Sequence, residues 1–99
     1  MNKIISYLGF AQKSNNCIIG QTALRKATKK LYLIIVCCTA SENLKNLAKN
    51  LAIKHGCEVI TSRVELKNLI KFDDVKIVGL TEENLSKAIV ENKEKINIG

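Results

Sequence analysis

Three stretches of the 99-residue chain combine residue types that could do chemistry. The first runs Ile18-Ile19-Gly20-Gln21-Thr22-Ala23-Leu24-Arg25-Lys26-Ala27. It reads as a short strand, a glycine, and a helix start bearing polar side chains and cations. A helix start presents unpaired backbone N–H groups and the positive end of the helix dipole, and both suit phosphate. Gly20 lets another backbone come close, Thr22 offers a hydroxyl, and Lys26 lies one turn further along the same face. A turn glycine followed by solvated lysines is the plainer account of the same residues.

The second stretch, Cys37-Cys38-Thr39-Ala40-Ser41, puts two thiols between an apolar run and a helix start. That placement lowers a thiol pKa and serves cysteine phosphatases and phosphocysteine transfer proteins. The phosphatase pattern needs an arginine six residues after the cysteine. Asn43 and Leu44 stand there, and Lys45 is the nearest cation. A cysteine-dependent phosphotransfer enzyme using Cys38 is therefore the alternative reading, and buried strand thiols the preferred one. The third stretch is acidic, Asp73-Asp74 with Glu82-Glu83. Paired carboxylates can act as acid and base or hold Mg²⁺, but a solvated loop and a helix-start charge explain all four.

The four cysteines (Cys17, Cys37, Cys38, Cys57) form no C-x-x-C, and the one histidine, His55, lies two residues before Cys57. No metal, cofactor or enzymatic activity is expected. In an extended strand Cys37 and Cys38 would point to opposite faces, and buried reduced thiols are the expectation.

Charge distribution says more than the net +7. From Met1 to Lys54 nine Lys/Arg stand against one acid, Glu42, a net of 9 − 1 = +8. From His55 onward seven basic and eight acidic residues give 7 − 8 = −1. An excess confined to one half points to a polyanionic partner, nucleic acid or an anionic membrane surface. With no Trp, no Pro, two Phe and two Tyr, the core must be aliphatic. Aromatic stacking is thereby excluded as the main way of holding single-stranded bases.

The longest apolar run, Leu31 to Cys38, is well short of the roughly 20 residues of a spanning helix. Ile4 to Ala11 resembles a signal-peptide core, but Lys3 is its only leading charge and no small-x-small site follows. A cytoplasmic protein with no membrane partner, acting as a monomer, is expected.

The elements that must position these residues follow from spacing. Ile4, Ile5, Leu8 and Ala11 recur at helical intervals. After Lys13-Ser14-Asn15-Asn16, a strand Cys17 to Ile19 is expected. A helix Gln21 to Lys29 follows, with Leu24 and Ala27 inward and Arg25, Lys26, Lys29 and Lys30 outward. Leu31 to Cys38 reads as a strand covered on both faces. Ser41 offers an N-cap for a helix through Leu44, Leu47, Ala48 and Leu51, closed by His55-Gly56. Glu58 to Ile60 is a strand, and Ser62-Arg63-Val64-Glu65 has capping-box form for a helix through Leu66, Leu69 and Ile70. Phe72-Asp73-Asp74 is a loop and Lys76 to Leu80 a strand. Thr81, Glu82 and Glu83 start a last helix through Leu85 and Ile89, and residues 91–99 are a polar, frayed tail. Alternation of this kind implies one domain over residues 1–99, a three-layer α/β/α sandwich around a four-stranded mixed sheet.

Four ordered motifs carry a resemblance. Leu8-Gly9-Phe10-Ala11-Gln12-Lys13 is followed by Gly20 with Lys26-Ala27 six residues on. Ala40-Ser41-Glu42-Asn43 and Glu65-Leu66 come after them. Over Tyr7 to about Ile89 the chain resembles the L-seven-Ae / L-thirty-e ribosomal protein family, which binds kink-turn RNAs, and its bacterial YlxQ-type branch in particular. The resemblance implies that Gly20, Gln21, Thr22, Arg25 and Lys26 contact a bent backbone and sheared purine pairs. It implies that a loop at Lys71-Phe72-Asp73 lies over a flipped-out base. Lys29 is counted with these RNA contacts as a neighbouring cation.

Two departures shape the expectation. The family's Asn-Glu pair, which reads tandem G·A pairs, falls on Thr22-Ala23, and Ala23 cannot hydrogen-bond a guanine edge. Glycines around the second region are replaced by Lys67 and Lys71. The expectation is a ribonucleoprotein component, ribosomal or ribosome-associated, that binds structured RNA with phosphate contacts dominant, since phosphate contacts position and base contacts specify. A protein-interaction module without direct RNA contact is a further alternative.

Overall fold

The computed structural model describes residues 3–62 and 75–91. Their elements are α1 (Lys3–Lys13), β1 (Cys17–Ile19), α2 (Gln21–Lys26), β2 (Leu33–Cys37), α3 (Glu42–His55), β3 (Glu58–Ser62), β4 (Ile77–Leu80) and α4 (Glu83–Glu91). The helix expected through Leu66, Leu69 and Ile70, the loop at Phe72, and the tail after Glu91 lie outside the described residues.

The four strands form one mixed sheet in the order β1-β4-β2-β3. β2 runs parallel to β3, with Leu33 opposite Glu58 and Cys37 opposite Ser62, and antiparallel to β4. β1 pairs antiparallel with β4, Cys17 opposite Leu80. Every residue of β2 and β4 is buried, as the continuous apolar run predicts for a strand covered on both faces. Side-chain alternation along β2 separates two cores. Leu33, Ile35 and Cys37 join Leu8, Ala11 and Ile89 beneath α1 and α4. Ile34 and Val36 join Leu24, Ala48 and Leu51 beneath α2 and α3. These are the three layers expected.

α3 shows how local signals set a helix. Ser41 Oγ accepts from the Leu44 N–H (3.2 Å), and Glu42 occupies the first turn, where the dipole favours an anion. At the other end Gly56 is left-handed (φ 66, ψ 39). The Cys57 N–H donates to the Ala52 carbonyl (3.0 Å) and the Gly56 N–H to that of Ile53, a Schellman closure.

Several boundaries differ from expectation. α2 stops at Lys26, not Lys29, because Ala27 is extended (φ −66, ψ 132) and turns the chain toward the wholly buried Leu31. The strand expected over Leu31 to Cys38 is narrower by residues at both ends, while that expected over Glu58 to Ile60 continues to Ser62. Cys38 lies in a turn, so it packs against the same core as Cys37 instead of facing away. The last helix is capped by Glu82, whose Oε2 accepts from the Leu85 N–H (2.6 Å). Thr81 instead spends its N–H on the Asn16 carbonyl (2.9 Å), tying α4's approach to the turn before β1.

Candidate nucleic-acid interface

Gly20 follows β1 in a conformation (φ 91, ψ 152) that side chains rarely adopt. Its N–H donates to the Ile77 carbonyl (3.0 Å), which fixes the start of α2 beside the first residue of β4. Leu24 is the single buried residue of α2 and pins it to the sheet. Gln21, Thr22, Arg25 and Lys26 are consequently turned outward and line one shallow surface together. Five of the expected contact residues are thus brought onto one element or its entry. Lys29, exposed, follows in the linker to β2. Lys71, Phe72 and Asp73 lie outside the described residues.

Among the described residues the ion pair found is Glu83–Lys87, 3.8 Å apart on α4, and Arg25, Lys26 and Lys29 have no acidic partner. Lys30 sits over the Tyr32 ring at 5.2 Å, a cation–π contact that uses its charge locally. Near the end of β2, Lys76 Nζ donates to Thr39 Oγ1 (2.6 Å), and that hydroxyl lies 3.1 Å from Cys37 Sγ.

The thiols are less uniformly buried than expected. Cys37 is fully buried, but Cys17, Cys38 and Cys57 are only partly so. Burial pushes the Cys17 thiol above its ordinary value, and it does the same to Cys57 against the lowering effects of a backbone hydrogen bond and Lys30. Among the described residues no three of His, Cys, Asp and Glu converge to hold a metal ion, and no helix is long and apolar enough to cross a membrane.

Two features escaped the sequence reading. One is Gly79, in β4, whose missing side chain makes room for Leu24 and Leu31. A glycine inside an apolar strand signals a close approach of this kind. The other is a cavity of about 290 Å³ that continues the basic surface past Lys26, and its lining residues come from three separate stretches. A larger cavity, about 580 Å³, lies elsewhere, between α4 and the segments entering β2 and β3. Three glutamates, Glu58, Glu83 and Glu91, border it against two lysines, Lys30 and Lys87, which makes it a poorer place for a polyanion.

No family model matches the chain, and no curated protein matches it. Among solved structures, a protein with unknown function from Bacillus halodurans C superposes with a TM-score of 0.78 at 17% sequence identity. The match covers 95% of this chain and 99% of that one, so the two share a fold over nearly their whole lengths.

Proposed function

We propose that this protein is a non-enzymatic, cytoplasmic RNA-binding module whose target is a structured ribosomal or non-coding RNA. The observation that carries this reading is the outward face of α2 and its sequel. Arg25, Lys26 and Lys29 stand exposed, with no carboxylate partner among the described residues. Unanswered cations on one surface are the electrostatic footprint of a phosphate backbone. Thr22 and Gln21 beside them supply uncharged donors and acceptors. The resemblance to the L-seven-Ae / L-thirty-e family, on the motifs at Leu8, Gly20, Ala40 and Glu65, supports the same surface and adds the loop at Lys71-Phe72-Asp73 as a second contact. Protein readers of RNA work largely through shape and distorted single-stranded features. Ala23 in place of a carboxylate favours phosphate-led binding over base-specific reading of a kink-turn.

Filter retention of labelled structured RNAs tests this. Arg25→Glu with Lys26→Glu is expected to weaken retention of all of them together, whereas Thr22→Ala changes only the ranking among them. Unchanged retention after the charge reversal would place the RNA surface elsewhere.

A further inference from the structure

The cavity beyond the end of α2 has a makeup unlike that of the larger cavity against α4. Lys26 and Lys29 line it together with Asn15, Thr28, Thr81 and Cys17, and among the described residues no carboxylate does. Lys26 also lines the surface shared by Gln21, Thr22 and Arg25, so the two regions are continuous through one side chain. At about 290 Å³ the cavity is at the small end of ligand sites, which run from about 300 Å³ upward. Its polar groups are of two kinds. The lysines supply charge, while the Asn15 amide and the Thr28 and Thr81 hydroxyls can both donate and accept. Asn15 is held at φ 60 by the turn after α1, and Thr81 is fixed by the bond from its N–H to the Asn16 carbonyl. The walls are therefore set by the packing of α1, β1 and α4.

We infer that this cavity receives one nucleotide of a single-stranded segment leaving the RNA body, its phosphate on Lys26 and Lys29 and its base edge on Asn15, Thr28 and Thr81. The inference rests on the RNA reading above and names a subsite within it. Reach is consistent with that. The six residues of α2 span about 9 Å at 1.5 Å each. A strand with a phosphate on the first turn of α2 would therefore reach the cavity within a few nucleotides. Recognition here needs no aromatic platform. Charge holds the phosphate, and hydrogen bonds meet an unstacked base, the usual state of the nucleotides proteins read in RNA.

Cys17 makes the cavity its own reporter. It lines this site, whereas Cys57, also partly buried with a raised thiol pKa, lines the cavity against α4 and serves as the internal control. The full chain is treated with iodoacetamide alone, with a blunt RNA hairpin, and with the same hairpin carrying a short single-stranded overhang. Labelling at each cysteine is read by mass spectrometry, and retention of both RNAs is measured on filters. The overhang RNA is expected to slow Cys17 labelling roughly tenfold, the effect of a site about nine-tenths occupied, and to leave Cys57 unchanged. Thr28→Val, which removes the hydroxyl at an exposed position without changing charge, is expected to reduce that protection and the overhang's affinity advantage while blunt-hairpin retention persists. If the overhang RNA is retained but Cys17 labels at its free rate, the subsite is wrong and the RNA reading stands. If neither RNA is retained, both fall.

Discussion

Replacing Gly79 by alanine should destabilise the fold and do so through α2. Gly79 lies in β4, opposite Ile18 of β1 and Ile34 of β2. A Cβ added there would come within 2.7 Å of Leu24 Cδ2 and within 3.0 and 3.4 Å of the two Leu31 methyls. Carbon atoms in good contact sit roughly 3.5–4.0 Å apart. Both leucines are buried, at 2% and 0% exposure, so neither can swing its methyls into solvent. Adding a methyl to a filled core costs about 1–3 kcal/mol. Replacing glycine in a strand returns about 0.5–1 kcal/mol of backbone entropy. The net loss centres on about 1 kcal/mol, with an upper bound of about 2.5 kcal/mol, and 1 kcal/mol is a fall of roughly 4–8 °C in Tm for a domain this size.

A double-mutant cycle isolates the cause. Leu24→Ala alone should cost about 2–5 kcal/mol by opening a cavity, but it also removes the closest obstacle to the new Cβ. In that background Gly79→Ala should cost about 1 kcal/mol less than in the native one. Urea denaturation of the four proteins measures the coupling. Equal costs in both backgrounds, or a rise in Tm for Gly79→Ala alone, would refute the steric account.

His55→Ala should lower the urea midpoint by removing the acceptor of a buried donor. His55 Nδ1 accepts from the Leu31 N–H (3.2 Å), and Leu31 has no exposed surface. An orphaned donor there costs about 1–3 kcal/mol, and an unchanged midpoint would show that another group takes over. A second expectation concerns pH. Burial raises the Cys17 and Cys57 thiols, so the folded protein binds these protons more tightly than the unfolded chain. Stability from this source is fully present below the ordinary thiol pKa and is lost as pH rises through and beyond it. Thermal melts across alkaline pH should show the decline, and Cys17→Ala with Cys57→Ala should flatten it.

Where local chemistry decided the structure, the sequence was readable. Ser41 and Gly56 bounded α3 because a cap hydroxyl and a left-handed glycine act within one turn. The buried run around Ile34 read as an interior strand because covering on both faces leaves no polar positions. α2 was misjudged at its end because Arg25-Lys26-Ala27 is locally as good a helix as what precedes it. The stop at Ala27 comes from the need to bring Leu31 under the sheet. Thr81 looked like a cap until its N–H was committed to Asn16, a residue 65 positions away in sequence. The cationic face of α2 was legible from composition and periodicity. The adjoining cavity was not, since Asn15, Cys17, Thr28 and Thr81 meet only after the sheet forms.

The most direct test of the account is the salt dependence of RNA affinity. If Arg25, Lys26 and Lys29 each neutralise one phosphate, the log–log slope against salt should be about −2 to −3. Each substitution to alanine should then flatten it by about 1, uniformly across RNA sequences. A slope near zero, or one unchanged when all three are alanine, would contradict the claim that this surface meets RNA.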